Sequence, residues 1–300
     1  MPATFESFVL SWLATVAVVR FKGSGYREYE SICRRHLLPT FGDVPLENIT
    51  TARIQDYVAE KLAGGLSARS VNNHIQALRR ILEYAVTCGI VTRSPVGKVV
   101  LPRQERSEMR FLVPGELHRL IASTPPSWRL LVAMAALTGL RKGEQLALTF
   151  SDIDLDAGTI RVSRSMRDGT TTTPKTAASV SVIPLPESLS PPIAQRRRQV
   201  VDPDGLVFCR SDGSPLPDGL PNRILSRALE SADLPPIRWH DLRHSWVAAH
   251  LQAGTDIPTL QRLGRWASPE TLLRTYAHVL PASGGDAVAK LDRMIGENDR

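Results

Sequence analysis

Between residues 67 and 87 the apolar side chains fall at Val71, Ile75, Leu78, Leu82 and Ala85. Steps of three and four put them on one face of an α-helix that turns toward a core. Ser67 starts this helix and Gly89 closes it. Its opposite face carries Arg69, Asn73, Gln76 and Arg80, one stripe of side chains that can bond phosphates and base edges or simply meet solvent. A second helix is expected over 50–62, with Thr50 or Thr51 at its N-cap and Gly64-Gly65 as its stop. The apolar run from Phe8 to Val19 reads as a core-facing helix. It is too short to span a bilayer, and it follows Glu6 rather than a basic segment, unlike a signal peptide.

Ser94-Pro95 ends this helical segment. The stretch GKVVLPRQERSEMR is polar, basic and without a strong period, as expected of a linker. We place a helical domain at 1–98, the linker at 99–110 and a second domain at 111–300. In the second, Pro114-Gly115-Glu116 opens a helix, another follows over 127–137, and then comes TGLRKGEQLAL. Over 153–185 the pattern changes to alternation: Ile160 and Val162 after a turn at Asp156-Ala157-Gly158, then VSVIPL. SRSMRDGTTTTPKTAAS between them reads as a polar hairpin or loop. Helices return at 220–232, 240–253, 257–264, 268–277 and 285–296. The fold class is therefore mainly α with a small antiparallel β-sheet, a helical N-terminal domain preceding an α+β domain. Val288, Leu291 and Ile295 recur at helical spacing and can pack on their own domain or on a neighbouring copy.

A length of 300 residues suits about two domains, and 42% apolar content is enough for a buried core. The net charge of +7 and pI near 9.7 favour an anionic partner, nucleic acid being the commonest. Residues 1–104 hold 13 Lys+Arg against 8 Asp+Glu, so most of the excess lies there, as a DNA-gripping module would require. Cys33, Cys88 and Cys209 form no CxxC pair, which argues against a disulfide scaffold or zinc site and fits a reducing cytosol.

Several segments carry side chains suited to chemistry. In TGLRKGE the glycine turns the backbone and aims Arg141, while Glu144, three residues on, shares its helical face and can orient it. Lys175 lies in the polar segment between the strands, where a hairpin-tip lysine reaches a phosphate or leaving group. In HDLRH, His240 and Arg243 share a face and can address one anion. His240 and His244 also have metal-ligand spacing, but Asp241 stands where a zinc protease needs Glu, and no third ligand follows. Ser268 caps a helix that begins at Pro269 and carries Tyr276 near its end. Each segment alone has a plainer account: a capped helix with a surface ion pair, a solvated lysine, a core tyrosine.

Together they suit attack on a phosphodiester. Fixed cations stabilise the charge that builds on phosphorus oxygens, and arginine is the better clamp. A tyrosine hydroxyl needs a base or a strong field to act as nucleophile, and a lysine can protonate the departing oxygen.

In this order, TGLRKGE, PKT, HDLRH, Gly-x-Trp and Tyr-Ala-His, the chain resembles the tyrosine recombinase, or phage integrase, family. LSARSVNNHIQALRRILEYAV resembles the last large helix of the family's core-binding domain, so the resemblance covers nearly the whole chain. It implies site-specific strand exchange with catalytic roles on Arg141, Lys175, His240, Arg243, Trp266 and Tyr276 and support from Glu144. Tyr276 would form a 3′-phosphotyrosyl link and release a 5′-hydroxyl. Arg141, Arg243 and Trp266 would bind the non-bridging oxygens, His240 would accept or orient the tyrosine proton, and Lys175 would protonate the leaving oxygen. No metal, cofactor or ATP is expected. The implied partner is double-stranded DNA, gripped partly by Arg69, Asn73, Gln76 and Arg80. The implied assembly is a homo-tetramer on two sites, monomeric in free solution, in the cytoplasm and not on a membrane. Two departures stand out. Most relatives have His where Trp266 falls, ten residues before Tyr276, and Arg265 rivals Trp266 for that place. Val180 and Ser181 stand where many relatives carry arginines. The alternatives are type IB topoisomerase-like relaxation and a non-catalytic DNA-binding relative.

Overall fold

The computed structural model describes residues 4–21, 23–104, 110–172, 180–276, 288, 289, 292, 293 and 295. The chain divides into two compact units, Met1–Ser107 and Glu108–Arg300.

The first unit is helical. Its helices are α1 (Phe5–Trp12), prolonged to residue 20, α2 (Gly23–Ile32), prolonged to residue 41, α3 (Thr51–Ala63) and α4 (Ala68–Thr87). Side-chain caps fix their starts: the hydroxyls of Thr4, Thr50 and Ser67 accept from the N–H groups of Ser7, Arg53 and Ser70. Val71, Ile75, Leu78, Leu82 and Ala85 are all buried, as the α4 periodicity requires. The core closes with Phe5, Trp12, Phe41 and Tyr57. The run from Phe8 to Val19 faces the core along one stripe only: Val9, Leu13 and Ala17 are buried, whereas Val19 is 84% exposed.

The stretch read as linker begins bound. Val99 and Leu101 pack on the first core. Gln55 donates to the carbonyl of Val100 at 3.2 Å and accepts from its N–H at 2.9 Å. Asn72 Nδ2 donates to the carbonyl of Pro102 at 3.2 Å. These partners lie 45 and 30 residues away in sequence, beyond the reach of a local pattern. Residues 105–109 of that stretch lie outside the described ones.

The second unit begins with α5 (Pro114–Ser123), α6 (Pro126–Thr138) and α7 (Lys142–Leu146). Strands β1 (Ile153–Asp154), β2 (Thr159–Val162) and β5 (Ser181–Pro184) form an antiparallel sheet in the order β1-β2-β5. The register sets Ile160 against Ile153 on one side and Ile183 on the other, and all three enter the core. Strands β3 (Ser165–Arg167) and β4 (Thr170–Thr172) form a separate hairpin. Its tip is Asp168-Gly169, both with positive φ, as a two-residue type I′ turn demands. Lys175, expected at a hairpin tip, lies outside the described residues. Helices α8 (Ser190–Arg197), α9 (Leu220–Ser231), α10 (Trp239–Gln252), α11 (Ile257–Gly264) and α12 (Pro269–Tyr276) complete the unit. Residues 288, 289, 292, 293 and 295 are helical. Among the described residues, no helix is long and apolar enough to cross a membrane.

Candidate active site

Arg141 occupies the N-cap of α7, and Glu144 at N3 closes a capping box on it. Glu144 Oε2 accepts from the Arg141 N–H at 2.9 Å, and Oε1 accepts from the Arg141 guanidinium at 2.8 Å. Arg265 Nη2 donates to Oε2 at 2.5 Å. One carboxylate thus stands between two guanidiniums. Burial alone would raise the Glu144 carboxyl, but Arg265 and Arg141 outweigh it and hold the group below its ordinary value. Arg141 keeps 45% of its side chain exposed, whereas Glu144 and Arg265 keep 12% and 10%.

Arg243, projecting from α10, is buried. Its Nη1 donates to the carbonyl of Gly139, its Nη2 to that of Gly264, and the Trp266 ring lies 4.0 Å from its guanidinium carbon. Arg243 therefore ties the turn before Arg141 to the end of α11. Both glycines are required there. Gly139 takes φ +62 with its Cα against Trp246, and a Cβ on Gly264 would lie 1.6 Å from the Trp266 ring. Burial first, then Arg141 and Arg265 nearby, pull Arg243 down to about 9.

The Asp241 carboxylate accepts from the N–H, Nε and Nη2 of Arg238, which fixes the start of α10 and with it His240. The His240 ring meets that of His244 edge-on, with centroids 4.8 Å apart. Burial and Arg243 lower the proton affinity of His240. His244 is pulled further, to about 4, by burial and by His240. Neutral His244 pairs through Nδ1 with the Tyr276 hydroxyl. Tyr276 is buried among Trp246, Val247 and Leu272, with Phe111 alongside. Burial pushes its hydroxyl above the ordinary tyrosine value, against a weaker pull from Arg243.

The structure thus gathers Arg141, Glu144, His240, Arg243, Trp266 and Tyr276 in one unit, with Arg265 among them. Trp266 and Arg265 do different things: the indole covers Arg243, and the guanidinium holds Glu144. Lys175 lies outside the described residues. The stripe Arg69, Asn73, Gln76 and Arg80 is exposed on α4 of the other unit. Arg80 there lies 5.8 Å and 5.9 Å from the stacked rings of Phe21 and Tyr29. His244 escaped the sequence reading, which met it only as the second half of a metal spacing. Its position beside Arg243 and one turn from His240 was the available signal. Among the described residues no cluster of three or more His, Cys, Asp or Glu side chains could hold a metal ion.

Residues 110–283 match the Phage integrase family model, and residues 4–62 match the Phage integrase N-terminal SAM-like domain. The ICEBs1 integrase of Bacillus subtilis is 30% identical over 97% of this chain and 83% of that protein. The Putative prophage phiRv2 integrase of Mycobacterium tuberculosis is 29% identical over 99% of this chain and 80% of its own length. The Tn1549 transposon integrase in complex with a circular intermediate DNA superposes with a TM-score of 0.81 at 17% identity, over 96% of this chain and 98% of that one. A lambda integrase dimer bound to a COC′ core site gives 0.74 at 20% identity, over 89% and 96%. Both structural likenesses establish the fold. The family match, on a chain whose second unit joins Arg141 and Arg265 through Glu144 and pairs His244 with Tyr276, closes the question of kinship: this chain belongs to the phage integrase family of tyrosine recombinases.

Proposed function

We propose that this recombinase breaks a DNA strand with Tyr276 and rejoins it to another strand. The carrying observation is that three guanidiniums, Arg141, Arg243 and Arg265, converge where, among the described residues, one carboxylate, Glu144, answers them. That excess of fixed positive charge suits a phosphodiester whose charge rises in the transition state. Arg141, the exposed member, presents its fork to a non-bridging oxygen. Arg243 uses two of a guanidinium's five N–H donors on Gly139 and Gly264, which leaves donors for the phosphate. The Trp266 ring lies over the Arg243 guanidinium and helps hold it in place.

In the reaction the Tyr276 oxygen bonds to phosphorus and the bond to the 5′-oxygen breaks. The tyrosine proton passes to a neighbouring base, His240 being the family's choice, and the 5′-oxygen takes a proton from Lys175. A 5′-hydroxyl from another strand reverses the step, so the phosphodiester bond energy is conserved and no nucleotide triphosphate enters. The helical first domain (1–98), through Arg69, Asn73, Gln76 and Arg80, grips the duplex. Four copies act on two sites, and the exposed Val288 and Ile295 of the C-terminal helix support contact between them. The free thiols of Cys33, Cys88 and Cys209 support a reducing, cytoplasmic setting.

A nicked suicide substrate tests this reading. Wild type forms a detergent-stable adduct on Tyr276, and Tyr276→Phe forms none. An adduct that persists in Tyr276→Phe would overturn the assignment.

A further inference from the structure

The Tyr276 hydroxyl is bonded to His244 Nδ1, and no hydrogen bond joins it to Arg141, Arg243 or Arg265. His244 sits on α10, the same rigid helix that supplies Arg243 and His240. Tyr276 is on α12, where its ring is packed against Trp246, Leu272 and Phe111. The hydroxyl is thus stored beneath the surface, with Tyr276 only 3% exposed, against the helix that supplies Arg243.

We infer that His244 is a positioning residue that stores the nucleophile: its Nδ1 accepts a hydrogen bond from the neutral Tyr276 hydroxyl in the DNA-free protein, and this bond must break before attack. The inference rests on the reading of Tyr276 as nucleophile. Its argument is that of differential binding. A hydrogen bond made in the resting state and lost on the way to the transition state raises the barrier. Burial keeps both partners neutral, His244 by lowering its proton affinity and Tyr276 by raising its own. The bond therefore holds a neutral hydroxyl and does not pre-ionise it. A neutral hydrogen bond of this kind corresponds to about a fivefold shift between stored and released tyrosine.

Two measurements on the full chain test it. The first needs no DNA: nitration of Tyr276 by tetranitromethane, located by peptide mapping. Wild type is protected, His244→Ala is labelled, and His244→Asn, which keeps an acceptor near the Nδ1 position, is protected again. The buried thiol of Cys209, in the same unit, reports whether each variant stays folded. The second is the rate of covalent capture of a suicide substrate. His244→Ala captures about fivefold faster than wild type, and His244→Asn reverses most of that gain. Equal labelling of Tyr276 in wild type and His244→Ala overturns the storage role. Slower capture in both variants overturns it too, and makes His244 a proton acceptor in the chemical step. No adduct from a wild type whose Tyr276 is protected sinks the nucleophile reading, and the storage role with it.

Discussion

Arg265 reaches across 121 residues of sequence to donate to Glu144 at 2.5 Å. It does so from a left-handed backbone at the C-cap of α11, φ 60 and ψ 47, a conformation that costs a non-glycine residue on the order of 1 kcal/mol. Among the described residues, Glu144 is the one carboxylate bonded to both Arg265 and Arg141, so its charge sets how close the two cations stand. Glu144→Gln keeps the shape and removes the charge. Cleavage should fall at least about tenfold, some 1.4 kcal/mol of barrier, while DNA affinity changes little. Single-turnover cleavage and gel-shift titration measure the two separately, and a parallel fall would assign Glu144 to binding instead. Because the folded carboxyl titrates below its ordinary value, its contribution to stability is full above roughly pH 4.3 and fades as pH falls through the lower folded value.

Gly264 has no room for a methyl group, since its Cβ would meet the Trp266 ring at 1.6 Å. Gly264→Ala must move the indole off Arg243. With 5-fluorotryptophan incorporated, the Trp266 fluorine resonance should shift, and cleavage should drop roughly ten- to a hundredfold through loss of an aligned donor. An unshifted resonance with full activity would show that Trp266 does not align Arg243.

The first unit has its own titration. His74 is buried, accepts or donates at Nδ1 with the Tyr57 hydroxyl at 2.9 Å, and stacks on His36 at 4.2 Å. Burial first, then His36 and Lys61, lower it to about 4. The unfolded chain therefore binds more protons below about pH 6.5, and stability falls as pH drops from there toward 4, by ~1 kcal/mol per unit. Amide exchange over α4 in the full chain should show this slope, and His74→Gln should flatten it.

Exposed residues on α4 should separate by their anchoring. Arg69→Ala should weaken DNA binding across sequences and reduce the log–log salt slope by about 0.9, as loss of one phosphate contact does. Arg80 lies over Phe21 and Tyr29, so Arg80→Ala should in addition destabilise the first unit by about 0.5–1 kcal/mol. An unchanged salt slope in Arg69→Ala would remove that residue from the DNA-contacting set.

Local signals were legible wherever the cause was local. The caps of α3 and α4, the buried stripe of α4 and the sheet residues Ile160, Val162 and Ile183 all follow from side chains within a turn or strand of one another. The bound start of the interdomain stretch was hidden, because Gln55 and Asn72 hold it from far along the chain. His244 was hidden for the same reason: its partner lies 32 residues on, in a helix whose placement only packing decides.

The sequence by itself determined the family, the helical character, and the order in which Arg141, His240, Arg243, Trp266 and Tyr276 arrive. Those are properties of residue type and spacing, which local periodicity and motif order encode. Only the tertiary structure decided that Arg243 cross-links Gly139 and Gly264, that Trp266 covers Arg243 while Arg265 answers Glu144, and that Tyr276 rests on His244. Each depends on where separate helices pack, and a buried donor or acceptor takes whichever partner that packing brings within reach.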